Sequence, residues 1–364
     1  MKTISFSKSA GADFSTTVKS RVSEYFKQNK LNRYGNFKMI LKSVVMLLLF
    51  FGPLTTIIFA GIANPWLIFI LYTLSGFGMA GIGMGIMHDA IHGSYSPRRW
   101  LNNLMSNTIN LIGSNKDMWR LQHNVLHHSF TNITDHDDDI NTPFFLRFSP
   151  NAKKNKLHRF QYLYAWIFYG LSTISWITGK DFVNLVRFNK MGLINDRKTY
   201  FKYLFSITLW KLIFFTIVLG LPLLLSPGSS LTIVLAFLTM QFVTGLSISI
   251  VFQTAHVMPN AEFPSPNDEG KIENERMVHQ LLTTCNFSQK TGFLFWTLGG
   301  LTNQIEHHLF PHISHVHYRN LAPIVKRTAE EFGLPYNTNG SFISAVIKHF
   351  KMLKVLGTME VSHS

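Results

Sequence analysis

The 364-residue chain has one cysteine, Cys285. It can form no disulfide within itself and no thiolate metal cluster. Acidic residues are scarce too: 19 Asp and Glu stand against 34 Lys and Arg, a net charge of +15. No nucleic-acid recognition motif accompanies that charge. A juxtamembrane surface facing anionic lipid is the better reading, and nucleic acid is not an expected partner. Internal repeats and long low-complexity tracts are missing. What the chain has instead is apolar sequence, 46% of its residues, much of it in continuous runs.

Four runs, about 40–63, 66–87, 204–225 and 231–255, approach the roughly 20 residues that a helix needs to cross the hydrocarbon core of a bilayer. The first is not read as a signal peptide, because it follows a polar stretch and lacks a small-residue cleavage site. Ala63-Asn64-Pro65 joins the first pair and Ser226-Pro227-Gly228-Ser229-Ser230 the second, so the spans form two hairpins. Neither connector holds Lys or Arg, whereas residues 1–42 hold nine, 88–200 fourteen and 257–364 nine. The positive-inside rule then places both termini and the middle segment in the cytoplasm. The expected architecture is all-α: an integral membrane protein of four transmembrane helices with a cytoplasmic helical cap. Its expected segments are an N-terminal interfacial stretch 1–37, a membrane domain 38–317 and C-terminal helices 318–364.

Several local expectations accompany that plan. Residues 1–37 read as a helix lying at the surface, and the aromatic-rich 160–179 as an interfacial helix rather than a fifth span. Residues 98–113 read as amphipathic. Lys211, inside the third span, is expected to snorkel to the headgroups. Two amphipathic helices are expected in 318–356, broken around Gly333–Gly340.

Three histidine boxes sit beside the apolar runs: His88-Asp89-Ala90-Ile91-His92, His123-Asn124-Val125-Leu126-His127-His128 and Gln304-Ile305-Glu306-His307-His308. Imidazole is a strong ligand for iron, zinc and copper. His88 and His92, like His123 and His127, are four apart and share one helix face. His128 lies about 100° further around. Seven histidines and a glutamine exceed the four ligands that one zinc takes, and suit two metals better. All three boxes fall on the same expected side of the membrane, as a shared centre requires.

These boxes resemble those of the membrane fatty acid desaturases over roughly residues 38–335. Gln304-Ile305-Glu306-His307-His308-Leu309-Phe310-Pro311, with glutamine in place of the first histidine, is similar to the front-end, linoleoyl-CoA (delta-6) type. The resemblance implies a di-iron enzyme that uses O2 to place a cis double bond in a long acyl chain, carried as acyl-CoA or in a lipid. The cofactor carries the difficult step, so no separate acid, base or nucleophile is called for. It implies His88, His92, His123, His127, His128, His307, His308 and Gln304 as metal ligands, with His256 at the end of the fourth span. Where the stearoyl-CoA type has an asparagine four residues earlier, this chain has Phe252, and His279 and Asn286 are possible substitutes. Asp89 is a possible acceptor behind a ligand imidazole. Asp135, Asp137, Asp138 and Asp139 read as solvated or as outer partners of the ligands. His312, His315 and His317 read as surface polar residues or acyl-carrier contacts.

The front-end type often carries a fused cytochrome b5 domain, but the sequence has no His-Pro-Gly-Gly haem motif. A separate ferredoxin or cytochrome b5 is therefore the expected electron donor. A bacterial inner membrane is the expected location. A related di-iron hydroxylase or ketolase, and a membrane metal transporter, are the alternatives. A transporter places its polar ligands near the bilayer midplane; here they lie just beyond span ends.

Overall fold

In the computed structural model, which describes residues 4–9 and 11–361, the chain is mostly helical. The outermost residues of the expected N- and C-terminal segments lie outside the described residues. Among the described residues, four helices have the length and apolar character to cross a membrane: Phe37–Phe59, Pro65–Ile91, Arg197–Leu225 and Ser230–His256. The segment read as interfacial is helix Gln161–Ser175, continued by the π-helical turn Trp176–Lys180 and helix Asp181–Lys190. It is not among the four. Two helices, Tyr318–Glu331 and Phe342–Thr358, occupy the C-terminal stretch.

The all-α expectation needs one small correction. Ser5–Phe6 pairs in parallel with Lys271–Ile272, and Asn286 bridges to Thr338. Both are backbone pairings between distant segments, too short to show as strand periodicity.

The chain divides into two compact units. One comprises Asn36–Leu121 and Trp166–Ile250. Its centre is the second span, built with small residues where backbones meet. Ser75 Oγ donates to the Phe50 carbonyl at 2.9 Å, and a side chain at Gly78 would collide with the Phe50 backbone. Thr244 Oγ1 donates to the Gly76 carbonyl at 3.0 Å, and Tyr72 Oη to that of Val218 at 2.8 Å. The second span thus touches each of the other three. Small residues and interhelical hydrogen bonds supply the packing that lipid cannot drive.

Lys211 departs from expectation in this unit. Its ammonium is buried and donates to Asp181 Oδ2 at 2.7 Å and to the carbonyls of Trp176 and Gly113 at 2.6 and 3.0 Å. It does not snorkel: three partners take its three protons inside the protein. Burial pushes the Asp181 carboxyl up, and Lys211 pulls it back.

The other unit holds the described residues up to Gly35, Gln122–Ala165 and those from Val251 on. Its core joins Phe14, Val18 and Val22 of helix Ala12–Gln28 to Val278, Leu281, Ile305, Leu309, Leu321 and Val325. The N-terminal helix is therefore a core element rather than a surface one. Its i, i+4, i+8 stripe is almost wholly buried, at about 1.5–3 kcal/mol per large apolar side chain. Arg147, also fully buried, donates to the carbonyls of Pro150, Ala152, Leu356 and Met359 at 2.6–2.8 Å. One guanidinium thereby holds the end of the last helix.

Candidate metal centre

The second box begins as a helix capped by Asn115, whose side chain accepts from the Asp117 and Met118 amides. It widens into the π-helical segment Leu121–His127 before His128–Phe130. A π-turn bonds i to i+5 and often marks a functional site. Here it brings residues five apart to one side, so His128 does not lie on a different face. The Nε2 atoms of His123 and His128 are 3.2 Å apart, and those of His128 and His307 are 3.0 Å apart. Nitrogens bound about 2.1 Å from one ion sit roughly 3.0–3.4 Å from each other. The spacing fits ligands of a shared metal.

A second group lies beside it. His127, His256 and His308 each bring a ring nitrogen within 4.8 Å of the others, and all three are buried. His128, His307 and His308 form a further such group, as do His123, His127 and Asp139. His256 reaches its group as the last residue of the fourth span.

The outward ring nitrogens are anchored. His127 Nδ1 faces Asp137 Oδ1 at 2.9 Å, with Asp139 at 3.6 Å. His308 Nδ1 faces Gln280 Oε1 at 2.7 Å, His256 Nδ1 the Thr283 carbonyl at 3.3 Å, and His307 Nδ1 the Tyr318 hydroxyl at 3.3 Å. By contrast, the Nε2 atoms of His127, His256 and His308 are buried with no hydrogen-bond partner among the described residues. An unsatisfied buried polar atom is costly. Three that converge, each on a ring held from behind, fit a site built for a metal.

The electrostatics agree. Burial works against a charged His127, but Asp137, Asp139 and Asp138 outweigh it and push the imidazole up to about 9. Their field favours a cation there. Burial, and then the neighbouring histidines, hold His308 well below its ordinary range, as the neutral base that a metal needs.

The third box is a short helix, Gln304–Leu309, wholly buried. Glu306 leaves the cluster and accepts from Asn286 Nδ2, Asn303 Nδ2 and Tyr336 Oη at 2.9, 3.0 and 2.8 Å. Gln304 is fully buried, and neither of its amide atoms has a hydrogen-bond partner among the described residues.

Other expected residues have other occupations. His279 Nε2 faces the Thr131 carbonyl at 2.9 Å. Asn286 accepts from the Ile305 amide while donating to Glu306 and Tyr336. Phe252 stands edge-on to His123. In the other unit, the His88 and His92 rings lie 4.9 Å apart, and His88 is edge-on to Trp119. Asp89 Oδ1 is 3.9 Å from His88 Nδ1, too long for a hydrogen bond. His315 and His317 are buried rather than surface residues; His317 Nε2 faces the Tyr34 carbonyl at 3.1 Å. His312 alone of the three is exposed.

Sequence reasoning did not single out Asp137, and it missed Gln280, Thr283 and Tyr318. Asp137 had a signal, since its loop follows the second box by about ten residues. The other three act through contacts that no local spacing announces.

The fatty acid desaturase family model matches residues 64–340. The chain belongs to the fatty acid desaturase family. It is 34% identical, over 98% of its length and 74% of the relative's, to an acyl-lipid (8-3)-desaturase of Physcomitrium patens. It is 33% identical to a sn-1 linoleoyl-lipid 6-desaturase of Synechocystis sp., over 94% of this chain and 95% of that one. A protein of the same description in Arthrospira platensis is 32% identical, over 96% and 94%. The desaturase is accordingly an oxidoreductase that acts on fatty acyl chains. Its four long apolar helices make it a membrane protein, and its histidine groups suit metal binding.

Proposed function

We propose that this desaturase is a front-end enzyme acting on acyl chains esterified in membrane lipid, with two irons as its cofactor. The carrying observation is the convergence of unpartnered Nε2 atoms of His127, His256 and His308 beside the close nitrogens of His123, His128 and His307. The relatives' names, acyl-lipid and linoleoyl-lipid desaturases, support the lipid carrier over acyl-CoA.

The proposed ligands are His123, His127, His128, His256, Gln304, His307 and His308, with His88 and His92 of the first box assigned by the family resemblance. Bound iron would supply the oxidising power, drawn from O2, for removing hydrogen from two adjacent methylenes. The chain's own residues do the rest. Asp137, Gln280 and Thr283 keep their histidines aimed inward. Burial keeps His308 neutral and water away from the cluster. Two electrons from a separate ferredoxin or cytochrome b5, and two protons, complete the reduction of O2 to water. The basic residues that flank the spans support a cytoplasmic active face with both termini on that side, in a bacterial inner membrane.

Expression in a host that supplies linoleoyl lipids tests this reading. Gas chromatography–mass spectrometry should show a new double bond on the carboxyl side of the existing ones. Iron analysis of the purified, untagged protein should give about two atoms per chain. One tightly held zinc with no iron, or hydroxylated rather than desaturated chains, would sink it.

A further inference from the structure

Helix Arg276–Leu282 carries none of the proposed ligands, yet it touches two of the histidine boxes. Its Gln280 is buried and makes three hydrogen bonds. Nε2 donates to the His128 carbonyl at 3.0 Å; Oε1 accepts from Thr131 Oγ1 at 2.9 Å and faces His308 Nδ1 at 2.7 Å.

Thr131 has one hydroxyl proton for two acceptors, since the His127 carbonyl also lies 2.8 Å from its Oγ1; the other two partners fix the orientation of the amide. A backbone carbonyl only accepts, so the amide nitrogen of Gln280 must face His128. Its oxygen must then face His308. An amide oxygen only accepts, so His308 carries its proton on Nδ1. Its Nε2 is left with a lone pair, buried and directed away from Gln280. That is the nitrogen which lacks a partner among the described residues. One amide thus selects the tautomer of a third-box histidine while bonded to the backbone of a second-box histidine.

We propose that Gln280 is a positioning residue of the metal centre, holding His308 as the Nδ1–H tautomer. The inference rests on the reading of this cluster as a metal site, and its test separates the two. Gln280→Leu removes the acceptor at similar volume. Gln280→Glu keeps an oxygen that accepts the same Nδ1 proton. Iron affinity is measured by competition with a chelator, Mössbauer spectra report the ligand field, and melting of the metal-free protein reports folding.

Gln280→Leu should bind iron about 10- to 100-fold more weakly than wild type, the usual effect of losing a ligand's outer partner. Its Mössbauer splitting should change. Gln280→Glu should keep iron affinity within a few-fold of wild type. A merely structural role would lower the melting temperature of both metal-free variants and leave iron affinity untouched. Equal affinity of Gln280→Leu and wild type, or equal weakness of the Glu and Leu variants, overturns the inference. Should the leucine variant not fold, Gln280→Met repeats the test, since it fills similar space without an acceptor. If the wild type retains a different divalent metal, the iron assignment fails, and the same comparison on that metal still decides the role of Gln280. A wild type that holds no metal overturns both.

Discussion

Two buried polar clusters in this desaturase are built on opposite terms. Around Lys211 every donor is used: three protons meet Asp181 and two carbonyls. Around His127, His256 and His308 each ring is satisfied at Nδ1 and open at Nε2. A closed cluster holds structure together and asks for nothing more. A cluster satisfied on its outside and open toward its middle is arranged for something that enters. The open atoms are therefore better guides to function than the count of buried polar groups.

The sharpest way to break that contrast is His256→Ala. Removing one of the open nitrogens should lower desaturation by more than about a hundredfold, beyond the usual effect of losing an outer partner. Membrane insertion and the melting temperature of the metal-free protein should change little. A variant of near wild-type activity, assayed by the lipid products, would remove His256 from the centre.

Gln304 is the other buried group of the third box with unpartnered atoms: neither amide atom has a hydrogen-bond partner among the described residues. Gln304→Leu should lose activity by at least about tenfold and bind less iron, while Gln304→His should keep a measurable part because imidazole is a competent donor. Equal activity of the wild type and the leucine variant at matched iron content would place Gln304 outside the coordination sphere.

The closed cluster should respond in the other currency. Lys211→Met strands the Asp181 carboxyl in a buried site and should cost about 3–5 kcal/mol of stability, with activity per folded molecule unchanged. Adding Asp181→Leu should restore most of that loss. Thermal melting in detergent reads both. A Lys211→Met protein that is fully stable but inactive would move this pair into the functional machinery.

Much of this was legible in the sequence. The four spans follow from runs long enough to cross a bilayer, and the histidine boxes from i, i+4 spacing. Residues that meet across long sequence separations were not legible. Nothing near Lys211 announces Asp181, thirty positions earlier. His315 and His317 look like surface polar residues beside a metal box, but they are buried. The π-turn at Leu121–His127 has no spacing of its own, and α-helical geometry placed His128 wrongly. The stripe Phe14, Val18 and Val22 is short and set among polar residues, which give its helix the look of a surface element. Asp137 stood in plain view among four aspartates; only the folded loop shows which one meets His127.

The buried Arg147 sets an order on how this protein is made. Two of the carbonyls that receive its guanidinium belong to Leu356 and Met359, more than two hundred residues downstream. A ribosome delivers Arg147 long before them. Until the last helix emerges, that charge cannot be buried without leaving donors unmatched, so the loop around it stays open to water. The second-box histidines precede it in the chain, and the third-box histidines follow before the closing helix arrives. The nascent chain thus passes through a stage in which every proposed ligand has been made and the carbonyls that complete this clasp have not.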